Sequence, residues 1–198
     1  MRQPLVRLYF RGYYREHYTE VNRQVGGCIG IVIPENIKNA IDDWREQYWP
    51  QGKNYKPVPK DNFHITCLFI GHLQAQQRIA LEAGISQLVL PRMMLNINTF
   101  AHWQKPSIGY LGFQNPTLEL MQAQQQIVRI AQDIEIESMD ISRRFVPHIT
   151  LARKFKPNCE APSQRPDILF EPKEIGLFES VSRPTGVHYP VRKSWSLG

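Results

Sequence analysis

The 198-residue chain has no run of about 18 apolar residues, which excludes a membrane-spanning helix from its reading. Its first residues lack the continuous apolar stretch of a secretory signal. Cysteine is scarce: Cys28, Cys67 and Cys159 are odd in number and far apart. That excludes a disulfide framework and a zinc knuckle, and it fits a reducing, cytoplasmic setting. Cys28 and Cys67 lie in apolar runs, where a buried thiol is the expectation. Clustered Cys, His and carboxylate ligands of the kind that hold zinc or a phosphoesterase metal pair are also missing, so no metal or other cofactor is expected.

Basic charge is not scarce, and it is unevenly spread. The net charge of +6 divides into five Arg against two Glu over residues 1–26, nine bases against eleven acids over 27–140, and ten bases against five acids over 141–198. A basic final third points to a polyanionic partner, although charge alone is equally consistent with a solvated surface.

Two segments repeat one pattern: Phe63-His64-Ile65-Thr66-Cys67-Leu68-Phe69 and Val146-Pro147-His148-Ile149-Thr150-Leu151-Ala152. With six His and six Thr in the chain, chance gives roughly 0.2 His-x-Thr triplets, so two are informative. In a strand, residues i and i+2 share a face, so His64 stands beside Thr66 and His148 beside Thr150. A core histidine bonded to backbone is the ordinary alternative for either one alone; the pairing makes it the weaker reading for these two. His17, His72, His102 and His188 keep that ordinary reading. The loop pair His102-Trp103 beside Lys105 could stack a base, but packing on its own loop is the simpler expectation.

Around these motifs the chain reads as alternating elements. Residues 1–26 form a basic arm rich in Arg and Tyr and closed by Gly26-Gly27, followed by a short strand over Cys28–Ile33. Ile37, Ala40, Ile41, Trp44 and Tyr48 recur at helical spacing, predicting a helix over roughly 35–48. The first motif strand spans Asn62 to Ile70 and ends at Gly71, and a second helix covers 74–88. Strands follow near 93–100 and 107–113, then a helix opened by an Asn115 cap and Pro116, running to about 136. The second motif strand covers 144–152, and two strands close the chain. The order predicts an α+β protein of two similar halves, each a small antiparallel sheet with helices on its outer face. The motifs meet only if the two sheets face each other across a cleft. The expected organisation is a basic extension, 1–26, and one bilobal domain, 27–198.

Two histidines across a cleft can divide acid–base work, one taking a proton from a nucleophile and the other giving one to a leaving oxygen. The threonine hydroxyls can donate to phosphate oxygens as charge develops. Nothing in this chemistry requires a metal.

On these residues the chain resembles the two-histidine phosphoesterases, and within them the bacterial RNA 2′,3′-cyclic phosphodiesterases also known as 2′–5′ RNA ligases. Gly30-Ile31-Val32-Ile33-Pro34-Glu35, Trp44, Lys60-Asp61-Asn62-Phe63-His64-Ile65-Thr66 with Phe69-Ile70-Gly71, and Phe145 to Arg153 match the family pattern. So do Phe178-Glu179-Ser180, Tyr189 and Trp195, so that the likeness covers roughly 28–197. The basic arm and His72, where an acidic residue is expected, depart from it.

The resemblance implies a bilobal fold and metal-independent opening of RNA 2′,3′-cyclic phosphate to a 2′-phosphate, with reversible 2′–5′ joining. It implies His64 as proton donor, His148 as proton acceptor, and Thr66, Thr150 and Arg153 as phosphate contacts. Strict alternation, however, puts Arg153 on the face opposite His148. The implied partner is an RNA end with a 2′,3′-cyclic phosphate, tRNA fragments included, acted on by a monomer with no membrane partner. Two rivals remain at this level: a non-catalytic RNA-binding module on the same fold, and a phosphodiesterase for a small cyclic nucleotide.

Overall fold

The computed structural model describes residues 25–198 except 50–54, 138, 140, 142–143 and 156–161. The basic arm therefore lies almost wholly outside the described residues. The first strand, β1, spans Val25–Val32 and so begins three residues before the sequence expectation. Its glycines are not a turn. A Cβ on Gly27 would stand 1.9 Å from the Phe178 carbonyl oxygen, so glycine is what lets two backbones approach.

Helix α1 (Glu35–Tyr48) follows, burying Ile37, Ile41 and Trp44 as the periodicity predicts. The two-residue strand β2 (Lys56–Pro57) and a 3₁₀ turn (Lys60–Asn62) lead into β3 (His64–Leu73), which continues through Gly71 at φ +70°. Helix α2 (Ala75–Ser86) opens on a capping box between Gln74 and Gln77. Strands β4 (Leu95–Ile97), β5 (Thr99–Trp103) and β6 (Ile108–Gly112) precede α3 (Leu118–Asp133). The cap of α3 is Thr117, whose hydroxyl accepts from the Leu120 amide at 3.3 Å. That moves the helix start two residues past the Asn115-Pro116 signal, because the hydroxyl satisfies an amide the earlier cap would leave open.

The second motif strand, β7, is His148–Arg153. Strands β8 (Ile168–Phe170), β9 (Glu174–Glu179), β10 (Val181–Arg183), β11 (Gly186–His188) and β12 (Val191–Ser196) complete the chain.

Two four-stranded antiparallel sheets result, β12-β9-β1-β3 and β2-β7-β6-β5, with two small pairs, β10-β11 and β4-β8. The α+β architecture with one motif per lobe is as expected, but the lobes are not consecutive halves of the sequence. The chain enters the first sheet with β1, visits the second with β2, returns with β3, makes β5 to β7 in the second, and ends in the first. Helices follow the same exchange. α1 leaves the first sheet and meets the second, where Arg45 donates to the carbonyls of Val58 (2.6 Å) and Leu151 (3.4 Å). α3 leaves the second sheet and packs beside β3 and α2. α2 in turn covers β12, where the Trp195 indole N–H donates to the Ser86 hydroxyl at 2.8 Å. One hydrophobic core, running from Ile29 and Ile65 to Leu111, Ile149 and Phe155, joins both sheets. β3 and β7 lie against each other where the sheets meet.

Candidate active site

The two motif strands carry the same irregularity at the same place. On β3, Thr66 faces Gly30 and Leu68 faces Ile29, so Cys67 is an extra residue with no partner of its own. On β7, Thr150 faces Tyr110 and Ala152 faces Gly109, so Leu151 is the extra one. A bulge of this kind resets the alternation of side chains. Cys67 and Leu68 are consequently both buried, as are Leu151 and Ala152. The next residue on each strand, Phe69 or Arg153, returns to the face that bears His and Thr. The bulge removes the objection from strict alternation: Arg153 shares a face with His148 and Thr150.

Each imidazole is held alike. The Nδ1–H of His64 donates to the Asn62 carbonyl at 2.7 Å, and that of His148 to the Val146 carbonyl at 2.8 Å. A carbonyl only accepts, so Nδ1 carries the proton in both rings, and Nε2 is the nitrogen left for chemistry. Burial pushes His64 down to about 4, outweighing the lift from its backbone bond, and the charges of His148, Arg153 and Lys38 press the same way. Burial lowers His148 as well. Both rings are thus neutral near pH 7 in the unliganded protein. An anion between them reverses the balance, since it favours the charged imidazole.

Because Arg153 acts on His64, while Phe69 lines the same groove as His148, the two strands pass each other in opposite directions. Each histidine therefore faces the far end of the other motif. An approximate two-fold relates the halves of the site, and it is broken where one half places a guanidinium and the other a phenyl ring.

Aromatic rings hold the imidazoles from behind. His64 stacks on Phe178 (centroids 4.8 Å) and meets Tyr189 (5.1 Å). His148 meets the edge of Trp103 (4.7 Å) and of Tyr110 (5.5 Å), and those two stack on each other at 4.1 Å. Trp103 therefore belongs to β5 and to the His148 support, not to a free loop. The buried Asn62 does two jobs. Its carbonyl orients His64, while its side chain donates to the Val187 carbonyl (2.8 Å) and accepts from the Tyr189 amide (3.1 Å). The β10-β11 hairpin and Tyr189 are thereby pinned to the loop that carries His64. Sequence reasoning gave no role to Asn62, Phe178 or Tyr189 beyond the family pattern. Asn62 and its hairpin partners are separated by more than a hundred positions, beyond any local signal.

Cys28 lies below His64, its sulfur 3.7 Å from Nε2 and 4.0 Å from the Thr66 hydroxyl. Burial pushes this thiol up to about 12, and Cys67 likewise, so neither is a nucleophile near neutrality. Among the described residues no three His, Cys, Asp or Glu gather where they could hold a metal ion, and no helix is long and apolar enough to cross a membrane. From Thr66 and His148 a groove of about 690 Å³ opens away along α3.

Comparison with known proteins agrees with this geometry. The model of the family described as LigT like phosphoesterase matches residues 31–110, which include the first motif. The RNA 2′,3′-cyclic phosphodiesterase of Escherichia coli K12 is 26% identical over 167 residues, covering 84% of this chain and 93% of that protein. The RNA 2′,3′-cyclic phosphodiesterase of Methanocaldococcus jannaschii is 29% identical over 180 residues, covering 84% and 98%. The crystal structure of E. coli LigT complexed with 3′-AMP superposes with a TM-score of 0.81 at 25% identity, over 88% of this chain and 99% of that one.

Proposed function

We propose that this chain, which belongs to the LigT-like phosphoesterases of the two-histidine superfamily, hydrolyses 2′,3′-cyclic phosphate at RNA ends to a 2′-phosphomonoester. The observation that carries the reading is the duplicated bulged strand, which aims two Nε2 atoms and two threonine hydroxyls into one cleft beside Arg153.

The reaction assigned to it runs as follows. Nε2 of neutral His148 takes a proton from water, and the water oxygen bonds to phosphorus. The P–O3′ bond breaks, and protonated His64 gives its proton to O3′. The product carries phosphate on O2′ and a free 3′-hydroxyl. Thr66, Thr150 and Arg153 hold the non-bridging oxygens and stabilise their growing charge. A 5′-hydroxyl entering in place of water yields a 2′–5′ linkage by the same steps, and the reverse steps cleave it. The roles of the two histidines rest on the family pattern, since their local geometry is the same.

The finer parts of the proposal are that tRNA fragments are among the substrates, that the enzyme works as a cytoplasmic monomer, and that residues 27–198 act as one unit with 1–26 as a basic extension.

The test is turnover of an oligonucleotide ending in 2′,3′-cyclic phosphate. His64→Ala and His148→Ala should each lose about 10² to 10⁴-fold in rate with thermal melting little changed. The rate should persist in EDTA, and phosphorus NMR should place the product phosphate on O2′. A near wild-type rate in either variant, or a 3′-phosphate product, would overturn the assignment.

A further inference from the structure

We infer that the groove running from Thr66 and His148 along α3 is a track for the RNA chain that precedes the cyclised nucleotide, its backbone phosphates held by Arg129 and Arg144. This rests on the function proposed above and deepens it, because it makes the substrate a polynucleotide and not a mononucleotide.

Size is the first argument. Hydrolysis brings only a water to the acceptor histidine, and a water needs about 30 Å³; the groove offers about 690 Å³. It follows α3 from Gln124 to Gln132, about 12 Å at the rise of a helix, which is more than one phosphate fills.

Charge is the second. Lys105, Arg129 and Arg144 line the groove, all three are exposed, and none makes an ion pair with a described residue. No Asp or Glu lines it. Lys105 and Arg129 come from the stretch 27–140 in which acids outnumber bases, so the one-signed lining does not follow from local composition. A cleft lined by one sign of charge concentrates polyanions.

Surface chemistry is the third. Phe69, Ile141 and Val146 show 56%, 44% and 43% of their area to the same groove. Apolar faces interleaved with unpaired cations are what a single strand needs, because bases stack on the former while phosphates meet the latter.

The experiment compares two substrates and two proteins. The substrates are an oligonucleotide ending in 2′,3′-cyclic phosphate and the matching nucleoside 2′,3′-cyclic phosphate. The wild-type protein should prefer the oligonucleotide in kcat/KM. The double variant Arg129→Ala/Arg144→Ala should lose about tenfold of that preference, through KM and not kcat, as expected for charge-assisted contacts of this kind. Fluorescence anisotropy with a 5′-labelled oligonucleotide should show the same loss in Kd. Its log–log salt dependence should flatten by about 1.4, or 0.7 per lost phosphate contact on a single strand. An unchanged preference, or an equal loss on both substrates, would overturn the track. If the wild-type protein turned over neither substrate, the catalytic reading would fall alone. The anisotropy arm would still decide, a weaker and less salt-dependent Kd supporting the track and an unchanged one refuting it.

Discussion

Acid should unfold this protein partly through His64. The ring sits at about 4 in the native state against about 6.5 in an unfolded chain. Below pH 6.5 the unfolded state therefore binds a proton that the native state refuses, and stability falls with falling pH until the native ring also titrates near 4. The contribution is fully present above pH 6.5 and lost across that window. A gap of this size corresponds to roughly 3 kcal/mol, or on the order of 5–10 °C in Tm for a chain of this length. The assay is urea unfolding at pH 7.0 and pH 4.5, for wild type and His64→Asn. Asparagine keeps a nitrogen near the Nδ1 position, so the bond to the Asn62 carbonyl can survive while the titration is removed. The variant should lose about 2–3 kcal/mol less than wild type between the two pH values. Inorganic phosphate should narrow the difference, because an anion in the cleft restores the charged ring. Parallel losses in the two proteins would refute the claim that burial holds this histidine neutral.

Three other outcomes are expected. Because kcat/KM reports the free enzyme and kcat the complex, the limb for loss of the donor proton should lie at higher pH in kcat than in kcat/KM; coincident limbs would mean that substrate does not recharge the site. Arg153→Ala should lower kcat/KM about 10-fold or more, with partial recovery in Arg153→Lys, and no loss would remove Arg153 from the phosphate contacts. Asn62→Ala should destabilise by about 1–3 kcal/mol, the cost of leaving buried partners unmade, and should speed hydrogen exchange over residues 181–190, since that hairpin would lose its anchor; unchanged exchange would show that the hairpin is held by other contacts.

Much of this fold is readable from local pattern. The motif strands, the helix over 35–48 and the face shared by His64 and Thr66 follow from periodicities of two and 3.6, which single stretches of chain carry. The bulges left a mark that can be read afterwards: after each threonine stand two apolar residues in a row, Cys67-Leu68 and Leu151-Ala152, where alternation calls for one. Whether such a pair means a bulge or a strand buried on both faces depends on the register of a neighbour, which the stretch itself does not encode. The exchange of strands between sheets was illegible for a like reason. Consecutive strands pair with each other often enough that two sequential halves were the natural expectation, and only the long-range packing of β9 and β12 beside β1 overturns it. Thr117 displaced Asn115 as helix cap by making one hydrogen bond, too small a difference for composition to decide.

The interleaving of the lobes bears on how the site can move. Enzymes that close over a substrate do so about a few loop or terminal residues that act as a hinge. Here the chain passes back and forth between the sheets, and the side chains beneath both histidines belong to one packed interior. Opening the jaws would tear that interior instead of flexing a joint. The distance between the two Nε2 atoms is thus a fixed gauge, set when the protein folds. A gauge of fixed width admits a phosphate by size, asks for no closing step before chemistry, and leaves discrimination among RNA ends to what lies outside the jaws.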